Sequence, residues 1–168
     1  MNISFISTVK NTLHDHLTEL TSIYEEAYKW VDDNSQGMSG YSEINAKLYK
    51  DLRMKFGLNS GLSQRLMSVV ATNRRDGVDL LPETIIYCSK SVSFRKKQGV
   101  LTIWLPDGRE VFPIPVEKKY ILEQAVIKTG ILQHIKDKVY KLTLRIDRPD
   151  TIYYTRPKSS GNKASSLT

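Results

Sequence analysis

The residues of this chain that could do chemistry are cations and amides rather than nucleophiles. Arg65, Arg74, Arg75, Arg95, Lys96, Lys97, Lys141 and Arg145 are candidates for phosphate contacts, because each can neutralise a backbone phosphate and release its counterion. Gln64, with Ser60 and Ser63, can enter a groove, since a side-chain amide pairs bidentately with adenine. Arg53 either does the same or caps a carboxylate such as Asp51 or Glu43. For each of these residues a solvated surface charge is the plain alternative. Tyr87, Trp104 and Tyr140 could stack on bases, but aromatics at strand spacing more often fill a core.

Bond-breaking chemistry finds little support. His14 and His16 stand two apart on a helical stretch, so they point to different sides and cannot share a metal. His134 is alone in sequence, which predicts a surface or packing role, and the single Cys88 adds no zinc pattern. No phosphate-cradling glycine loop, nucleophile elbow or His/Cys pairing occurs. Asp147 and Asp150 read as a strand-end cap and a turn residue. The chain is therefore expected to be no enzyme and to need no cofactor.

Composition sets the frame. The 168 residues suffice for one ordinary domain or two small subdomains sharing a core, with 40% apolar and 26% charged residues. The net charge of +7 is uneven: residues 1–59 hold 6 Lys+Arg against 8 Asp+Glu, residues 60–168 hold 19 against 10. A basic second half suits a polyanionic partner, most simply nucleic acid, although lysine also serves solubility. One cysteine allows no internal disulfide; no apolar run nears a membrane span and no secretory signal is visible, so a cytoplasmic protein is expected.

Several elements must position these side chains. Ile3, Phe5 and Val9 suggest a first strand within residues 1–10. Leu13, Leu17, Leu20, Tyr24, Ala27 and Val31 track one face of a helix over Asn11 to Asp33. Asn34 to Gly40 is a loop. From about Ser42, a helix with Leu48, Leu52 and Phe56 on one face stops at Gly57, a residue suited to a left-handed cap. Asn59 or Ser60 then caps a helix carrying Leu62, Leu66, Val69 and Val70. Asp76-Gly77 and Pro82 bracket the passage from a helical part, residues 11–80, to a β part, residues 84–150.

There the period becomes two. A strand is expected from Thr84 through Phe94, then a basic turn at Arg95–Gly99, a strand at Val100–Leu105, a Pro106-Asp107-Gly108 hairpin turn and a return strand over Glu110–Ile114. Pro113 and Pro115 confine that return strand to an edge or its end. Lys118–Ala125 is a short helix or an irregular crossover, and Val126–Ile135 is two strands or one kinked at Gly130. Val139–Ile146 alternates Tyr140, Leu142, Leu144 and Ile146 with a basic face of Lys141 and Arg145. Five or six short strands suggest a small oligonucleotide-binding-like barrel. Residues 151–168 are expected to be a basic disordered tail.

The string Tyr49, Leu52, Arg53, Phe56, Gly57, Leu58, Ser60, Gln64 and Arg65 resembles the helical recognition segment of the TnpB transposon-encoded RNA-guided nucleases, relatives of the type V CRISPR effectors. A preceding helix with Tyr24, Tyr28 and Trp30, and a late basic strand at Tyr140–Arg145, fit the same pattern over most of residues 1–150. The resemblance implies an α+β fold in which the helical recognition subdomain is inserted after the first strand of a β-barrel wedge subdomain. It implies guide-like structured RNA and duplex DNA as partners, with sequence read by base pairing and the protein gripping backbones. The catalytic RuvC-type domain of that family has no counterpart here. A separate RuvC-type catalytic chain is then a further possible partner, and no membrane is involved.

Two further readings stand beside this one. One is a stand-alone DNA-binding regulator built from the same parts. The other is an accessory or inhibitory protein that contacts a nuclease.

Overall fold

A computed structural model describes residues 1–78 and 83–147. The tail expected at residues 151–168, the turn residue Asp150 and the bracketing Pro82 lie outside them. The chain runs β1 (Asn2–Thr8), α1 (Asn11–Asn34), α2 (Tyr41–Phe56), α3 (Ser60–Asp76), β2 (Thr84–Cys88), β3 (Val92–Arg95) and β4 (Val100–Leu105). It continues through β5 (Gly108–Phe112), α4 (Val116–Glu123), β6 (Val126–Lys136) and β7 (Val139–Asp147). The fold is mixed α+β, with two antiparallel sheets ordered β1-β7-β6-β2 and β3-β4-β5.

Helix α1 is held by burial rather than by capping. No side chain caps its start and no acid sits in its first turn, yet Leu13, Leu17, Leu20, Tyr24, Ala27 and Val31 are all buried. A large apolar side chain among them contributes about 1.5–3 kcal/mol. Helices α2 and α3 carry explicit punctuation. Gly57 takes φ 69° and its N–H donates to the Arg53 carbonyl at 2.9 Å, closing α2 in a conformation that a Cβ would disfavour. The Asn59 side chain accepts from the Leu62 N–H at 2.7 Å and starts α3. The two helices are thereby joined by a three-residue corner, and Leu48, Leu52, Leu62, Leu66 and Val70 are buried.

The strand expected from Thr84 to Phe94 is two strands in different sheets. The Ser91 N–H donates to the Cys88 carbonyl and the Ser91 carbonyl accepts from the Trp104 N–H, so a turn at residues 89–91 passes the chain from one sheet to the other. The segment at 116–123 is helical, and residues 126–136 form one strand with irregular register between Ile127 and Thr129 and between His134 and Lys136. Strand β1 pairs with β7 in register Ile3↔Leu144 and Phe5↔Leu142, so the first strand finds its partner at the far end of the described chain.

The barrel expected from strand spacing is not closed among the described residues. Strand β5 is an edge and ends at Phe112, before Pro113 and Pro115; Pro113 lacks the N–H a ladder would need, and its carbonyl accepts from the Ser7 hydroxyl of β1 at 2.8 Å. The two sheets instead pack face to face. Phe5 meets Phe112 with ring centroids 6.3 Å apart, and the buried Tyr87 hydroxyl donates to the Trp104 carbonyl. At Gly130 the sheets approach closely: a Cβ there would sit 3.2 Å from Val92 of β3 and 3.2 Å from Leu144 of the neighbouring β7.

Candidate nucleic-acid interface

The start of α2, the first half of α3 and the end of β2 with the turn after it border a cleft of about 330 Å³ lined by Tyr41, Ser60, Gly61, Gln64, Arg65, Ser68, Cys88, Ser89 and Lys90. Three of the residues singled out from sequence meet here. Ser60 and Gln64 are exposed on the first turns of α3. Arg65 is half-buried, and among the described residues its buried Nε has no hydrogen-bond partner. Its charge lies close enough to Tyr24 to favour the phenolate, against the stronger upward push of burial on that hydroxyl. Lys90, Ser89 and Tyr41 carry no sequence signal for this place; Lys90 belongs to a turn that alternation alone does not distinguish from continuous strand.

The second group lies on the open face of the larger sheet. Along β7 the buried residues are Tyr140, Leu142, Leu144 and Ile146, and the opposite side carries Lys141, Thr143 and Arg145. Cross-strand register builds this face in rows: Ile6, Lys141 and Gln133; Ser4, Thr143 and Ile131; Asn2, Arg145 and Thr129. The Ser4 and Thr143 hydroxyls hydrogen-bond at 3.0 Å. The third row continues across β6 to Cys88, which lines the cleft. Arg145 therefore stands two strands from Cys88, roughly 10 Å at the usual strand spacing. The row thus runs from the open sheet to the edge of the cleft.

The remaining cations lie elsewhere. Arg74 closes on the end of α1, with Nη2 2.6 Å from the Asp32 carboxylate and Nη1 2.6 Å from the Ser35 carbonyl, which leaves it little to offer a phosphate. Arg75 is exposed and pairs at 3.2 Å with its neighbour Asp76. Arg53 caps neither Asp51 nor Glu43: its Nε donates to the Leu58 carbonyl and its guanidinium lies 5.7 Å from the Tyr49 ring. Glu43 is taken by Ser39 and Lys47. Arg95 ends β3 and Lys96 and Lys97 follow it in the β3–β4 turn, at the other end of β3 from Lys90, roughly 13 Å along a four-residue strand. Ser63 is fully buried, 3.5 Å from the Leu58 carbonyl, and does not reach the cleft. Tyr87 and Tyr140 belong to the core, and Trp104 is half-buried against it.

The histidines divide as their spacing implies. His14 hydrogen-bonds the Tyr140 hydroxyl, while His16 faces Glu110, whose hydrogen bond raises its pKa above the ordinary value. His134 is not alone in space: its ring centroid is 5.7 Å from that of His14. Among the described residues no group of three or more His, Cys, Asp or Glu side chains is placed to hold a metal ion. Asp147 pairs with Lys128 across the β6–β7 ladder. No helix among these residues is long and apolar enough to cross a membrane.

The sequence matches no family model, and no curated protein matches it.

Proposed function

We propose that this chain is a nucleic-acid-binding unit without catalysis of its own, equivalent to the recognition and wedge segments of a TnpB-like RNA-guided nuclease. The reading takes the helices between β1 and β2 as a recognition insert and the strands as the wedge. It takes guide-like structured RNA and duplex DNA as the bound species, with a RuvC-type chain supplying any cleavage. One observation carries it: the cross-strand row Arg145, Thr129 and Cys88 leads from the open sheet into the cleft holding Ser60, Gln64, Arg65 and Lys90. Cations at both ends with hydroxyls and an amide between them suit a sugar–phosphate chain. Among the described residues, no ion pair engages Arg65, Lys90, Lys141 or Arg145, so all four are free to meet phosphates.

The α2–α3 corner favours a second reading, a DNA-binding regulator. Gln64 sits early on the second helix of a tight helix pair, the position from which a recognition helix reads base edges. Fluorescence anisotropy with a structured RNA and a duplex DNA across a salt series separates the two. Tight RNA binding with a steep salt dependence supports the guide-binding reading; DNA binding alone supports the regulator; affinity indifferent to salt for both sinks the shared cationic surface.

A further inference from the structure

His134 lies near the end of β6 with both ring nitrogens engaged. Nδ1 is 2.7 Å from the Glu83 carboxylate and Nε2 is 2.6 Å from the Asp137 carbonyl. An ionised carboxylate and a carbonyl oxygen only accept, and a neutral imidazole has a single N–H to give. Only the imidazolium satisfies both. The two acceptors belong to Glu83 and Asp137, with φ of 54° and 47°, the two non-glycine residues at positive φ among those described. L-residues rarely adopt that backbone, so each must be held there by its surroundings. The His134 N–H also donates to the Glu83 carbonyl at 3.1 Å, and the Glu83 N–H donates to the Glu25 carboxylate at 2.6 Å. The site flanks a cleft of about 330 Å³ between α1 and the β6–β7 hairpin.

We propose that protonated His134 is a pH-operated latch, fastening Glu83, at the start of β2, to the β6–β7 turn at Asp137. The charges around it favour the cation. Glu25 and Asp15 face this region from α1, Glu83 from the entry to β2 and Asp137 from the turn itself, against Lys136 and Lys138. Lys138 is turned toward the Asn11 side chain. The uncharged neighbours are Tyr140, 4.8 Å away between ring centroids, and His14 behind it. The Glu83 hydrogen bond holds the His134 pKa above the ordinary value of 6.5, with burial opposing it. The latch is thus closed in mildly acidic solution and opens as pH rises through that elevated value: one of the two ring bonds is lost, and Glu83 and Asp137 relax from positive φ.

The test is ¹⁵N imidazole NMR and amide hydrogen exchange on the full chain, since the His134 amide reports directly on its bond to Glu83. Both ring nitrogens are expected to be protonated at about pH 6. Protection of the His134 amide, corrected for intrinsic exchange, should fall about tenfold toward pH 8.5, the loss of a hydrogen bond to a charged group. His134→Gln should abolish that dependence, and Glu110→Gln, which alters only the His16 pair, should leave it. Should His134→Gln fail to fold, Glu83→Gln keeps the shape of the acceptor, and the transition should move to lower pH. A neutral ring at about pH 6, or protection that does not change with pH, overturns the proposal.

Discussion

The Arg74 guanidinium reaches from α3 to the end of α1 and takes hold of Asp32 twice, Nη2 lying 2.6 Å from the carboxylate and 2.8 Å from the backbone carbonyl. The last carbonyls of a helix lack internal partners and carry its partial negative charge. Helix α1 has no basic residue in its own last turn, so Arg74 supplies the missing cation from another element. The Asp32 side chain is 46% exposed, so the carbonyl bonds rather than the ion pair carry most of the effect. Arg74→Ala is expected to cost about 1–3 kcal/mol. Arg74→Lys should recover only part, because an ammonium cannot span both carbonyls. Urea titration checks this through a lower midpoint at unchanged slope.

The proposed interface predicts a hierarchy among the cations. Replacing Arg65 and Arg145 by alanine together should weaken binding and flatten its salt dependence, by about 0.9 per lost contact on duplex or about 0.7 on a single strand. Arg75→Ala, at an exposed site paired with Asp76, should change the slope little. The turn cations Lys96 and Lys97 lie at the far end of β3 from Lys90 and the cleft, so their replacement should matter less than that of Arg145. Equal losses from all of these variants would mean that charge, not the cleft, governs binding.

Gly61 packs against β2 with no space to spare. A Cβ there would stand 2.3 Å from the Cys88 Sγ and 3.2 Å from the Ser91 hydroxyl. Gly61→Ala should therefore destabilise by about 1–3 kcal/mol despite its better helix propensity. Adding Cys88→Ala should return most of that loss. A double-mutant cycle reads the coupling directly, and simple additivity would show that Sγ is not what the new methyl meets.

Two half-exposed pairs make opposite contributions with pH. The hydrogen bond to Glu110 raises the His16 pKa, so its stabilisation is complete below about pH 6.5 and disappears as pH rises through the elevated value. The Ser39 N–H, with the Ser39 hydroxyl and Lys47 behind it, holds the Glu43 pKa below its usual 4.5; that stabilisation is complete above the usual value and is lost as pH falls. Melting temperatures of Glu110→Gln should approach those of the parent in alkaline solution, and those of Glu43→Gln should approach it in acid. Curves that stay parallel throughout would remove both pairs from the pH profile.

Helix faces and caps were legible because they are local. The apolar steps from Leu13 to Val31, the stop at Gly57 and the cap at Asn59 all follow from spacing within a few residues. Alternation along β7 likewise identified its buried and basic sides. Partnership was not legible. Alternation in Ile3 and Phe5 fixes which side is apolar but not that Leu144 and Leu142 lie opposite. The turn at Ser89–Ser91 was hidden because serines fit an alternating pattern as easily as a corner. For the candidate interface, sequence could weigh charge but not orientation, so Arg74 and Arg65 looked alike although only one is tied to a carboxylate. His14 and His134 meet only because α1 crosses the hairpin that begins more than a hundred residues later.

The pairing of β1 with β7 sets an order of events during synthesis. Three helices can assemble on one another as they leave the ribosome, but β1 must wait, its apolar side chains uncovered, until Arg145, which lies opposite Asn2 in the ladder, has been translated. Such a distant contact slows folding and leaves a sticky nascent edge until β7 has been made. Cells making this chain would need to shield seven early residues until nearly the last described one has emerged.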